Sequence, residues 1–421
     1  MSKEPTIHMG IGFVTGRRSF LKVLKTYIYN WHESGMTDMH RVKLHVFIAY
    51  DLQYNKTKPD DFTRVSDKLS AKVDSIEFID ASYLQDQIDD LQKHGIAAKP
   101  EAELFFASGY AAMRNAVLYA AVKRRMDYLL FLDDDEYPLT VTKSGPVAIW
   151  SGQHLLAQHL QHIANADITN GYHCGYISPI PSIHFNDTLT EEDFRVFVEA
   201  ISNDIISWER ISTIMRQGGV TYADTGILTN QTVTEVTEIK HCKFISGSNL
   251  CINLTKPHRV FPFFNPPGAR GEDTFLSTCL AERRVVRIPS YAFHNGFSTY
   301  NYLLSGVLPT ELVPITASMP TVIDRFYRAC VGWVRYKPLF LYITRRVEYD
   351  SLIQDMRQKL QYVLPKFEAY FHKHKFGRIL SELDQYDRDV KQHYELFVNN
   401  QAIWQKMVSF LDSQYTGKHA K

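Results

Sequence analysis

FASGYAAMRNAVLYAAVKRRMDYLLFLDDDE, residues 106–136, joins a helical pattern over 108–125 to an apolar strand, Tyr128–Leu132, that runs straight into Asp133, Asp134 and Asp135. Three consecutive carboxylates at a strand end are costly, because like charges raise one another's pKa unless a cation neutralises them. A divalent metal is the simplest remedy. Asp133 and Asp135, being alternate residues, can bring hard oxygen ligands to one side of a turn and leave positions for diphosphate oxygens, as Mg2+ or Mn2+ prefers. A solvated acidic turn is the bland alternative, and the preceding YLLFL argues against it.

Working outward, Ile7 to Val14 reads as a strand, Thr15-Gly16-Arg17-Arg18-Ser19 as a loop, and Phe20 to Trp31 as an amphipathic helix. Val42 to Tyr50 is a second strand ending on Asp51, and Ser75 to Ile79 a short third, followed by a helix at 82–94. This alternation predicts an α/β fold with a mostly parallel sheet and helices on both faces. Ligands of such sheets sit beyond the carboxyl ends of the strands, which singles out Thr15, Gly16, Arg17, Asp51 and Asp133 to Asp135. Further along, the pattern predicts a helix at 152–164, a strand at 167–178 and an acidic helical stretch at 190–215. A strand over Lys243–Leu254 broken at Gly247-Ser248-Asn249, a helix at 273–283 and the strand VVRIP before His294 follow. Beyond residue 305 long helical patterns dominate, at 350–373 and 376–413, so 305–421 reads as a helical C-terminal domain.

The composition fits a folded, multidomain protein: 421 residues, 45% hydrophobic and 22% charged. A net charge of +1 provides no field for nucleic acid. Aromatics at 13% suit a sugar-binding cleft as well as an ordinary core. Five cysteines without metal-like spacing read as reduced, buried thiols. No export signal or spanning segment is read at the N-terminus, so the expected compartment is the cytoplasm.

The order MRN (Met113 to Asn115), helix, strand, DDD resembles the family-two-like inverting glycosyltransferases of the GT-A fold, whose members carry an ARN-like helix start followed by a strand closing in DxD. The resemblance covers roughly residues 7–300. It implies nucleotide contacts from FVTGR (Thr15, Gly16, Arg17), from Asp51 and from Arg114, Asn115 and Asp134. Glu272-Asp273 in GEDTFL resembles the family's ED motif, which implies Asp273 as the base that deprotonates an acceptor hydroxyl, with inversion at the sugar carbon. His294 matches a histidine that completes the metal site with Asp133 and Asp135 in a number of GT-A enzymes. Arg270, beside the ED pair, is suited to the departing phosphate charge. The lack of a QxxRW element after the ED pair argues against a processive synthase.

These features imply a GT-A domain over 1–304, with a nucleotide-binding half at 1–140 and an acceptor-binding half at 141–304. It would transfer a sugar from a nucleotide-diphospho-sugar, uridine diphosphate sugars favoured, to a glycan, lipid-linked or protein acceptor, with Mn2+ or Mg2+ as cofactor. A sugar-nucleotide nucleotidyltransferase and a noncatalytic sugar-nucleotide or glycan-binding protein are the alternatives. The stretch VGWVRYKPLFLYITRR, 331–346, reads as a helical packing surface broken at Pro338, with peripheral contact at the inner face of a membrane as the alternative.

Overall fold

The computed structural model describes residues 6–38, 41–106, 109–176, 179–202, 208–373 and 375–416. Four strands build the first half: β1 (Ile7–Thr15), β2 (Val42–Tyr50), β3 (Ser75–Ile79) and β4 (Tyr128–Asp133). β1 pairs in parallel with both β2 and β4, and β2 with β3, giving the order β3-β2-β1-β4. The chain steps away from β1 twice and then returns to its other side, so the crevice between the carboxyl ends of β1 and β4 is a topological switch point. Val14 and Asp133 lie opposite each other there.

Alternate residues of β1 serve different layers. Met9, Ile11 and Phe13 pack with Phe20, Leu24, Tyr27, Ile28 and Trp31 of the helix Phe20–Glu33. Gly12 faces the other way, where a Cβ would come within 2.6 Å of Val117 Cγ1; glycine lets the helix Tyr110–Lys123 approach the sheet closely. That helix is buried from Ala111 to Val122, which explains why its sequence carries no polar stripe.

The second half adds β5 (Glu136–Tyr137), β6 (Leu139–Ser144), β7 (Val147–Gly152), β8 (Ile168–Tyr176), β9 (Thr234–Glu235), β10 (Leu250–Asn253) and β11 (Val285–Asn295). β10 runs antiparallel between β4 and β8, β8 pairs in parallel with β11, and β5 and β9 pair antiparallel with β11. The result is a mixed sheet, parallel through most of its length, with helices on both faces. β6 and β7 form a separate hairpin that the hydrophobic pattern did not foretell.

Several boundaries differ from expectation. The strand read over 243–254 contracts to 250–253 because Asn249 takes a left-handed conformation, φ 49°, and turns the chain. VVRIP instead lengthens: β11 continues past Pro289 to Asn295, and a register shift between Arg287 and Tyr291 absorbs the proline. His294 is thus part of the strand rather than of a following loop. The acidic stretch divides into Glu191–Ile201 and Trp208–Arg216, and the helix at 273–283 shrinks to Glu272–Ser277. The pattern over 350–373 is the helix Tyr349–Phe371, and that over 376–413 is two helices, Arg378–Arg388 and Val390–Thr416. Residue 108 of the long helical pattern, 177–178 of the expected strand and 203–207 of the acidic stretch lie outside the described residues.

The helix Pro320–Thr344 runs unbroken through Pro338, contrary to expectation. Its stretch 331–346 is packing surface: Val334, Leu339, Phe340 and Leu341 are almost fully buried in the helical core. Even Lys337 is 3% exposed, with Nζ donating to the Ser202 carbonyl. These apolar side chains are committed to the interior. Among the described residues no helix is long and apolar enough to cross a membrane. All five cysteines are thiols, four of them buried.

The C-terminal helices share the core of the sheet. Trp404 stacks on Phe105 with ring centroids 6.1 Å apart and donates its indole N–H to the Val260 carbonyl at 2.8 Å. Ile403, Met407, Val408 and Leu411 join Leu129, Phe131 and the helix Tyr110–Lys123 in one cluster. Trp404→Ala should therefore cost about 3–5 kcal/mol, and urea unfolding followed by both circular dichroism and tryptophan fluorescence should remain a single transition. Two separate transitions would mean that the helical region folds independently.

Candidate functional site

The acidic turn is fixed by three strands. β4 delivers Asp133, and the chain then doubles back into β5, where Glu136 pairs with His294 and Tyr137 with Phe293. The Asn295 N–H donates to the Asp135 carbonyl at 3.0 Å. Asp134 points into the fold: Oδ2 accepts from the Thr15 hydroxyl at 2.7 Å and Oδ1 from Arg17 Nε at 3.0 Å. Asp135 accepts from Arg17 Nη2 at 2.8 Å, while its Oδ1 lies 3.4 Å from His294 Nε2. Thr15 and Asp134, expected to touch a nucleotide, are thus occupied with each other and with Arg17.

Arg114 joins this turn to the ED pair. Buried between the rings of Phe131 and Phe263, with centroids 5.2 and 5.6 Å away, it donates Nη2 to Asp133 Oδ1 at 2.8 Å and Nη1 to the Gly247 carbonyl. Its Nε stands 3.7 Å from Glu272 Oε1. Gly247 lies where the two groups meet: a Cβ there would stand in ordinary contact, 3.4 Å from Arg114 Nη2 and 3.5 Å from Asp273 Cβ. Asn115 has another task than the nucleotide contact expected of it: its amide clamps the Phe263 backbone, Nδ2 to the carbonyl at 2.9 Å and Oδ1 from the N–H at 2.7 Å.

Burial dominates the electrostatics. It pushes Asp133 up to about 7, against Arg114 and with the help of Glu136 and Asp135, and Asp134 up to about 6 against Arg17. Burial and the neighbouring Glu272 likewise push Asp273 up to about 6. Asp135 goes the other way: burial is outweighed by His294 and Arg17, which hold it below the usual carboxylate range. For His294 burial opposes the charged form, but Asp135, Glu136 and Asp133 outweigh it and raise its pKa. A carboxylate such as Asp273, with raised proton affinity yet ionised above pH 6, suits a general base.

Among the described residues no three His, Cys, Asp or Glu side chains form a preassembled metal group. Arg17 instead holds Asp135, Arg114 holds one oxygen of Asp133, and His294 stands beside Asp135. The donor set nonetheless fits a hard cation bound through one or two carboxylates and substrate phosphate oxygens, the usual manner of Mg2+. In that arrangement Asp133 and Asp135 would be ligands, with His294 beside Asp135 as the third candidate.

The remaining expected residues flank this centre. Gly16 lies under Tyr54, where a Cβ would meet the Tyr54 Cβ at 2.8 Å. Asp51 lies on the same rim, its N–H bonded to the Thr15 carbonyl and its Oδ1 accepting from the Gln53 N–H at 2.8 Å. The Arg270 side chain crosses Gly332 of the helix Pro320–Thr344. Sequence reasoning missed Glu136, whose oxygens meet the Ser248 hydroxyl at 2.5 Å and His173 Nε2 at 3.0 Å. It also missed Tyr54 and Tyr110, an edge-to-face pair with centroids 6.4 Å apart beside Gly16, and Arg325. The fourth acid in DDDE was a visible signal for Glu136; a lone arginine in a distant helix carried none.

Asp273 also provides a stability test. Its folded pKa of about 6 exceeds the unfolded value of about 3.9, so the stability it contributes is complete at low pH and is lost as pH rises through 6. Asp273→Asn should raise the thermal midpoint at pH 8 and leave it near wild type at pH 4; an equal shift at both would refute the raised pKa.

Comparison with models of known protein families finds no match, and comparison with curated proteins finds none either.

Proposed function

We propose that the chain is a metal-dependent, inverting glycosyltransferase of the GT-A type that moves a sugar from a nucleotide diphosphate, uridine diphosphate favoured, to a hydroxyl acceptor. The observation that carries this reading is the continuous array from Arg17 and Asp133–Asp135 at the switch point, through Arg114, to Glu272 and Asp273. Switch-point crevices bind nucleotides and their phosphates. A second carboxylate of raised proton affinity, joined to the strand-end acids by one guanidinium, supplies what transfer to a hydroxyl needs.

In this reading Asp133 and Asp135 hold Mn2+ or Mg2+, which when bound neutralises diphosphate charge. Arg17 would offer the pyrophosphate a donor, and His294, beside Asp135, would be the third ligand to the cation. Asp273 accepts the proton of the acceptor hydroxyl as its oxygen bonds to the sugar carbon and the bond to the diphosphate breaks, inverting that carbon. Glu272, near Arg114 Nε, keeps the guanidinium from cancelling the negative charge of Asp273. Tyr54, half exposed beside the loop, presents an aromatic face at the rim where a base would lie.

A thermal-shift panel of nucleoside diphosphates and their sugars tests the donor site. A Mn2+-dependent rise in midpoint of the full chain for one nucleotide, abolished by Asp135→Ala, is expected; no rise for any nucleotide would sink the reading. Asp273→Asn should retain that rise and lose at least about a hundredfold in transfer, measured as release of nucleoside diphosphate in the presence of an acceptor. Near-normal turnover by this variant would remove Asp273 from the role of base.

A further inference from the structure

We propose that Arg325, reaching in from the helix Pro320–Thr344, forms with Arg270 a seat for a diphosphate group at the edge of the acidic turn, so that the C-terminal helical region completes the site. The proposal rests on the donor reading above and deepens it by assigning the diphosphate two guanidinium groups from outside the nucleotide-binding half.

The geometry points there from three sides. A Cβ on Gly296 would lie 2.5 Å from Arg325 Nη2 and 2.9 Å from His294 Nε2, so the absence of a side chain at this position admits both groups to one small space. The guanidinium lies over the ring of Phe297, 3.9 Å from its centroid, which fixes its plane without using any of its N–H donors. Arg270, exposed in the loop before the ED pair, lies along the same helix, its Cδ 3.6 Å from where a Cβ on Gly332 would stand.

Charge strengthens the case. Neither Arg270 nor Arg325 makes a hydrogen bond or an ion pair among the described residues, in contrast to Arg17 and Arg114. Burial lowers the Arg325 pKa to about 10, against the attraction of Asp135 and with the repulsion of Arg17 and Arg270 adding to it. A half-buried cation with unused donors, crowded by other cations, is a poor structural element and a good receptor for a polyvalent anion. Arginine pairs phosphate oxygens two at a time. The neighbouring Arg328 is exposed and bonds to the Asp324 carbonyl of its own helix, so it provides a control within the same element.

Inorganic pyrophosphate is the probe, titrated calorimetrically into the full chain in the presence of EDTA so that no cation contributes. Wild type should bind it, Arg325→Gln should bind on the order of tenfold or more weakly, and Arg328→Gln should match wild type. Arg325→Lys, which keeps the charge but loses the paired donors, should fall between wild type and Arg325→Gln, and it carries the test should the glutamine variant not fold. No pyrophosphate binding by wild type, or equal affinity in Arg325→Gln or Arg325→Lys, overturns the proposal. Arg325-dependent pyrophosphate binding without any nucleotide-sugar binding in Mn2+ upholds the seat while overturning the glycosyltransferase reading.

Discussion

The buried guanidinium of Arg114 is the constraint around which the site is arranged. Asp133, Glu272 and Asp273 converge on it in a poorly hydrated crevice, where neighbouring like charges need a compensating cation. Arg114 meets this need from a helix buried on every side, held in plane by two phenyl rings. Such a pair adds little net stability, because desolvation cancels much of the attraction. Its contribution is geometric: one planar fork sets the distance between the strand-end acids and the ED pair.

A second set of contacts arrives from the far end of the chain. Arg335 donates Nη1 to the Gly268 carbonyl at 2.7 Å while its Nε and Nη2 pair with both oxygens of Glu382, and the Tyr386 hydroxyl donates to the Pro267 carbonyl. Tyr336 lies against Gly271, whose φ of 107° starts the short helix bearing Glu272 and Asp273. The loop 266–271 contributes little regular hydrogen bonding of its own, so its position is inherited from the helices behind it. Arg114 on one side and the C-terminal helices on the other hold the ED pair between them.

The first four strands and the position of the acidic turn were legible because local pattern and tertiary role agree there: buried parallel strands read as apolar runs, and their ends as breaks. Legibility declined where the tertiary structure chose between local alternatives. Pro289 looked like a strand end, yet a register shift carries β11 on to His294; Pro338 looked like a helix break, yet packing on both sides keeps the helix intact. Thr15, Asp134 and Asn115 were read as nucleotide contacts, but spacing does not show which way a side chain turns, and all three turn inward. Arg325 could not be read at all, since its place beside His294 arises only from the approach of two segments with no periodic relation.

The packing of Trp404 against Phe105 has a consequence for how the protein is made. One face of the sheet receives its cover from Ile403 to Leu411, near the last described residues. A ribosome releases those residues long after it has released β1 to β4, so the nascent sheet must wait with Phe105 and its neighbours incompletely sheltered. Long-range contacts of this kind slow folding and leave apolar surface open to association with other chains. Emergence of residues 403–411, rather than emergence of the strands, is then the event that covers this face of the sheet, and a nascent chain stalled before residue 403 would be one for chaperones to hold.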